Sequence, residues 1–159
     1  CIHRSVGFDL GLDQRDLGSD QLARAGDHVV LVEAKAHLDE FFSPPTHASG
    51  KSREKIRSAF DSVREALGAN GDADWTDRFY QYANRLAHLH FLRSRSVDCS
   101  LLFVDFVNDE DMRGPRDARE WLAAFRAADY TLGLPKRHPL SGSIFHVFPD
   151  VRSLNDLRP

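Results

Sequence analysis

Four consecutive apolar residues, Val29, Val30, Leu31 and Val32, run directly into Glu33-Ala34-Lys35. Three of the four are β-branched, and a continuous apolar run of this length reads as a strand buried on both faces. In a strand, residues i and i+2 point to the same side, so Glu33 and Lys35 share a face about 7 Å apart. Charges at the end of a core strand are costly unless they are paired, bound to a metal or facing a wet cleft. The strand therefore demands a partner for its two charges.

Asp20 is the local candidate. Ala23-Arg24-Ala25-Gly26-Asp27 separates it from the strand and carries a hairpin signal. A two-residue turn at Ala25-Gly26 sets Asp20 opposite Leu31 and diagonal to Glu33, on the face that holds Glu33 and Lys35. Asp27 is the rival, but six residues of strand span about 20 Å, too far for it and Glu33 to share one ion.

An Asp, a hairpin and then Glu-x-Lys on a buried strand resembles the active site of the PD-(D/E)xK nuclease superfamily. The pieces are Asp20, preceded by Ser19 where the family has Pro, and Glu33-Ala34-Lys35. The wider wording, EAKAH followed by a helix and then YQYANRLAHLHFL, is similar to uncharacterised bacterial members. The resemblance covers about residues 14–108. It implies a metal-dependent nuclease acting on DNA, with Mg²⁺ or Mn²⁺ held by Asp20, Glu33 and the carbonyl of Ala34. Hard oxygen donors of this kind suit those ions. It further implies that Lys35 orients the attacking water or stabilises developing negative charge, and that Gln81 faces the site from the following helix. Arg85 stands where the family's companion tyrosine would follow Gln81.

Two other readings remain. One is a catalytically inactive domain of the same fold that binds nucleic acid or protein. The other is an enzyme that uses Glu33 and Lys35 without metal. A structural Glu33–Lys35 ion pair is the plain alternative to a site of any kind.

The 159 residues, 42% hydrophobic, suit a single nuclease-like domain with a real core. Cys1 in place of an initiator Met reads as N-terminal truncation. Cys1 and Cys99 are the two cysteines, so no disulfide framework is implied and a reducing, cytoplasmic setting is expected. No apolar run approaches the ~20 residues of a membrane span. The net charge of −3 runs against the basic surface usual in nucleic-acid binders. Arg53, Lys55 and Arg57, or Arg78, Arg85, Arg93 and Arg95, offer local basic clusters, although each also reads as a solvated helix face. No glycine-rich phosphate loop, CxxC, HExxH or G-x-S-x-G motif occurs.

Along the chain, Ile56, Phe60, Val63 and Leu67 mark an amphipathic helix over 52–67, closed by Gly68. A longer helix is expected over 75–94, capped by Asp72 or Asp74. Its buried stripe is Trp75, Phe79, Ala83, Leu86 and Leu89 or His90, and Gln81, Arg85 and His88 form a separate polar line. A strand over 101–107 carries Asp105 near its end, in a place like that of Glu33. Gly114-Pro115 starts a further helix bearing Trp121, Leu122, Phe125 and Ala128, and 143–148 is the last strand. His37 continues the alternation of Glu33 and Lys35, and Glu40 adds a nearby carboxylate. The expected fold is α/β, a mixed central sheet with flanking helices on both faces, restriction-endonuclease-like.

Overall fold

The computed structural model describes residues 21–155; Asp20, and with it the expected Asp20–Glu33 pairing, lies outside the described residues. Four strands form one sheet in the order β1-β2-β3-β4: β1 (Gln21–Ala25), β2 (His28–Lys35), β3 (Cys99–Asp105) and β4 (Ile144–Val147). β1 is antiparallel to β2, while β2, β3 and β4 run parallel. The sheet is therefore mixed. Parallel neighbours need long crossovers. Between β2 and β3 these are α1 (Leu38–Phe41), α2 (Gly50–Leu67) and α3 (Tyr80–Ser94), and α4 (Ala118–Thr131) connects β3 to β4. A short α5 (Val151–Asn155) follows. No helix among the described residues is long and apolar enough to cross a membrane.

The hairpin turn is Gly26-Asp27, not Ala25-Gly26, because Ala25 pairs with His28. Gly26 takes φ +65° at the first turn position, a conformation glycine adopts without steric cost. Leu31 accordingly faces Leu22, two residues from the register expected of it.

The stripe on α2 is buried as its spacing predicts, with Ile56, Phe60, Val63 and Leu67 all in the core. The helix stops where Gly68 turns left-handed, at φ +69°. α3 starts at Tyr80, five residues later than expected. Asp74 caps a turn instead of a helix, since its Oδ1 accepts from the Thr76 amide at 2.8 Å. Phe79 then adopts φ +60°, which breaks the helical path ahead of Tyr80. Ser43 Oγ accepts the Gln81 amide at 3.0 Å and satisfies a donor in the first turn of α3. α4 begins after Asp117, whose carboxylate accepts the Arg119 and Glu120 amides, so Asp117 and not Gly114-Pro115 sets its start.

The three long helices pack on one face of the sheet. Tyr82 of α3 and Phe125 of α4 each meet the Phe103 ring, at 5.7 and 4.9 Å, and α2 joins the same core. On the other face Val30, Val32, Leu102 and Val104 are half-buried, and Phe145 and Val147 are exposed. The expectation of helices on both faces is thus met on one face among the described residues. The run Val29–Val32, expected to be buried on both faces, is half-buried throughout; Val29 and Leu31 pack against the core and Val30 and Val32 line the other face.

Candidate functional site

Glu33 and Lys35 lie on the helix-covered face at the carboxyl end of β2. Strand pairing sets Glu33 beside Phe103 and Lys35 beside Asp105, and Phe103 in turn beside His146 of β4. Residues paired in register emerge on the same face. Lys35 and Asp105 therefore project side by side at the ends of adjacent parallel strands, the place where open α/β sheets bind ligands.

The charged groups of the cluster are buried, while Gln81 and His146 at its edge are half-buried. Glu33 is 5% exposed, Lys35 8%, Arg85 4% and Asp105 0%. Lys35 Nζ lies 2.8 Å from Glu33 Oε1, and Arg85 Nε donates to Glu33 Oε2 at 2.7 Å. Lys35 Nζ also donates to Gln81 Oε1 at 3.2 Å. Gln81 and Arg85 are one helical turn apart on α3, so one face of that helix meets both charges of β2. Burial opposes ionisation of Glu33, but Arg85 and Lys35 together outweigh it and hold the carboxyl below its ordinary value.

Asp105 is treated differently. His146 Nδ1 stands 3.3 Å from its Oδ2, while Oδ1 is buried with no hydrogen-bond partner among the described residues. Burial pushes the Asp105 carboxyl up, and the negative charge of Glu33 adds to that push against His146 and Lys35. His146 is held by rings, stacked 5.1 Å from Phe103 and edge-on to Phe125 at 4.3 Å.

The cluster thus joins Glu33, Lys35 and Gln81 of the expected set and adds Arg85, Asp105 and His146. Arg85 was visible in the polar line of α3 but stood out only as a departure from a tyrosine. His146 gave no sequence signal, because its partner lies 41 residues away. His37 does not join. Its Nε2 lies 3.7 Å from Glu40 Oε1, and Glu40 Oε2 accepts the Ala36 amide at 2.8 Å. The basic cluster built on Arg85 does not form a surface patch either, since Arg85 is buried and Arg93 donates to the Cys99 carbonyl at 3.0 Å. His88, on the Gln81 side of α3, is pushed down to about 4 by burial and by Arg85, which leaves it neutral at pH 7.

Ala34 shows its carbonyl to the other edge of β2. The Lys35 carbonyl accepts from Phe106 at 2.9 Å on the β3 side, and consecutive strand carbonyls alternate in direction. In donor type, the Glu33 carboxylate and Ala34 carbonyl fit a hard divalent cation. In number they fall short, for no three His, Cys, Asp or Glu side chains stand together for an ion among the described residues. Both Glu33 oxygens also face cations already.

A surface cleft elsewhere is lined by Arg57, Asp61, Arg64 and Asp74. Its charges are paired, Arg57 with Asp74 at 3.0 Å and Arg64 with Asp61 at 3.1 Å. It offers no concentrated chemistry comparable to the strand ends. The fold and the cluster define a mixed α/β protein with a buried ionic site at the carboxyl ends of its parallel strands. No family model, no curated protein and no solved structure matches this chain.

Proposed function

We propose that this chain is a metal-dependent nuclease domain of the PD-(D/E)xK type, hydrolysing phosphodiester bonds in DNA. The observation that carries the reading is the buried contact of Glu33, Lys35 and Gln81 at the end of β2. Burying an ammonium and a carboxylate costs several kcal/mol per ion before pairing returns any of it, so stability alone is a weak reason to keep them.

In this reading Asp20, Glu33 and the Ala34 carbonyl hold Mg²⁺ or Mn²⁺. Asp20 directly precedes Gln21, which pairs with Val32 one residue short of Glu33. When bound, the ion neutralises phosphate charge and lowers the pKa of a water. Lys35 supplies a fixed positive charge toward the anion that develops at phosphorus. Gln81 holds the ammonium by accepting one of its hydrogen bonds, and Ser43 fixes the helical turn that carries Gln81. Arg85 keeps Glu33 ionised.

A second reading is favoured by one observation: both Glu33 oxygens already meet cations. A self-neutralised cluster suits a nuclease-fold module that binds nucleic acid or protein without cutting. Thermal melting separates the two. Saturating Mg²⁺ or Mn²⁺ raises the melting temperature of a metal-binding wild type by linkage to the folded state. Asp20→Ala and Glu33→Ala lose that response and Lys35→Ala keeps it, because a protonated lysine is no ligand. A wild type that melts at one temperature with and without metal supports the module instead.

A further inference from the structure

Lys35 has two carboxylates within its reach and uses one. Its ammonium carries three donors on a flexible four-carbon stem. Glu33 and Gln81 take two of them. Asp105 is its register partner across the β2–β3 ladder, and neighbouring strands lie about 4.8 Å apart. Among the described residues Asp105 Oδ1 is buried without a hydrogen-bond partner. A buried acceptor in that state is expensive and calls for an explanation.

The charges are also unevenly shared. Glu33 holds two cations, whereas Asp105 holds one imidazole. The His146 ring, fixed between Phe103 and Phe125, keeps Oδ2 occupied and so leaves Oδ1 as the accepting atom. We propose that Asp105 is a second seat for the Lys35 ammonium, which crosses from Glu33 to Asp105 Oδ1 when Glu33 no longer offers it a carboxylate oxygen. Asp105 is then a positioning residue acting through Lys35. The seat removes the chief obstacle to a cation at Glu33, since the displaced ammonium stays paired inside the protein while Arg85 remains on Oε2. The inference rests on the reading of Glu33 as the carboxylate a cation would claim, but its test contains neither metal nor nucleic acid.

The test is a double-mutant cycle of Lys35→Met and Asp105→Asn in the full chain, read from urea unfolding at pH 7. It is run in the wild-type and in the Glu33→Gln backgrounds. With Glu33 intact, the pair couples by about threefold or less in the folding equilibrium, since the two charges are ladder neighbours without a direct ion pair. With Glu33→Gln, the coupling rises to about tenfold or more, in the range of contacting groups. Coupling that is equal in the two backgrounds overturns the proposal and leaves Asp105 as an anchor for His146 alone. If the Glu33→Gln chain does not fold, the paired replacement Glu33→Met with Arg85→Met serves as the background. It removes the carboxylate together with its guanidinium partner and leaves Asp105 as the remaining carboxylate for Lys35, so the expected coupling is again about tenfold. No rise there overturns the proposal equally. Because the cycle reads folding alone, its result holds whether or not the chain cuts DNA.

Discussion

Glu33 ends β2 between two cations, whereas Asp105, on the neighbouring strand, meets a single imidazole. Both carboxyls are buried on the same face of the sheet. One is held ionised below its ordinary value of 4.5, and the other is pushed above its ordinary value of 3.8. Burial is the largest influence on each, so the difference lies in what α3 and β4 supply. α3 brings Arg85 and Gln81 to the β2 end, and β4 brings His146 to the β3 end. The upward push of burial is therefore overcome by partners at one strand end and prevails at the other.

Removing Glu33 tests the contrast most severely. Glu33→Leu takes the carboxylate from two buried cations, Lys35 and Arg85, and breaking a buried pair in this way costs about 3–5 kcal/mol. Chemical denaturation that shows a loss below about 1 kcal/mol would erase the contrast.

His146→Phe preserves the stacking on Phe103 but takes the imidazole from Asp105 Oδ2, so that neither oxygen keeps a hydrogen-bond partner among the described residues. The expected loss at neutral pH is about 1–3 kcal/mol, the cost of an unsatisfied buried group. It shrinks on acidification, because a protonated Asp105 no longer carries the charge.

Asp105→Asn keeps the shape of the residue and removes a charge that burial disfavours. Its effect at pH 7 stays within about 1 kcal/mol in either direction. A loss as large as that of Glu33→Leu would mean that the two acids are held alike.

The smallest effect is in the acid limb of the stability curve. The folded value of Glu33 lies below its unfolded one, so its contribution is complete above pH 4.5 and fades as pH falls through the lowered folded value. The folded value of Asp105 lies above its unfolded 3.8, so its ionised form costs stability and acidification through the raised value returns it. Glu33→Gln should flatten the loss of stability between neutral pH and about pH 3, and Asp105→Asn should steepen it. Urea midpoints across that range read both slopes.

How much was legible in the sequence follows the range of the interactions. β2 and the α2 stripe were legible because a continuous apolar run and a 3.6-residue spacing are local signals. The start of α3 was not, since Trp75 and Phe79 keep helical spacing while the Asp74–Thr76 turn and the left-handed Phe79 interrupt the helix. The hairpin register moved because Gly26 fits the first turn position as readily as the second. In the candidate site, Glu33, Lys35 and Gln81 stood out by alternation and by a polar line on an apolar helix. Arg85 belonged to that same line, but only the fold showed it meeting Glu33. Asp105 was legible as a charge ending an apolar strand, and His146 was hidden because only the β3–β4 pairing brings the two together.

We propose that the strand-end cluster hydrolyses phosphodiesters with the help of a divalent ion. The direct measurement is conversion of supercoiled plasmid DNA by the full-length protein, with and without Mg²⁺ or Mn²⁺, beside Lys35→Ala. Nicking or linearisation is expected only with metal, at a rate lower by about a hundredfold or more in Lys35→Ala, the scale of losing one preorganised charge-stabilising group. A folded wild type that leaves the plasmid intact in both metals, or a Lys35→Ala chain that cuts at the wild-type rate, would contradict it.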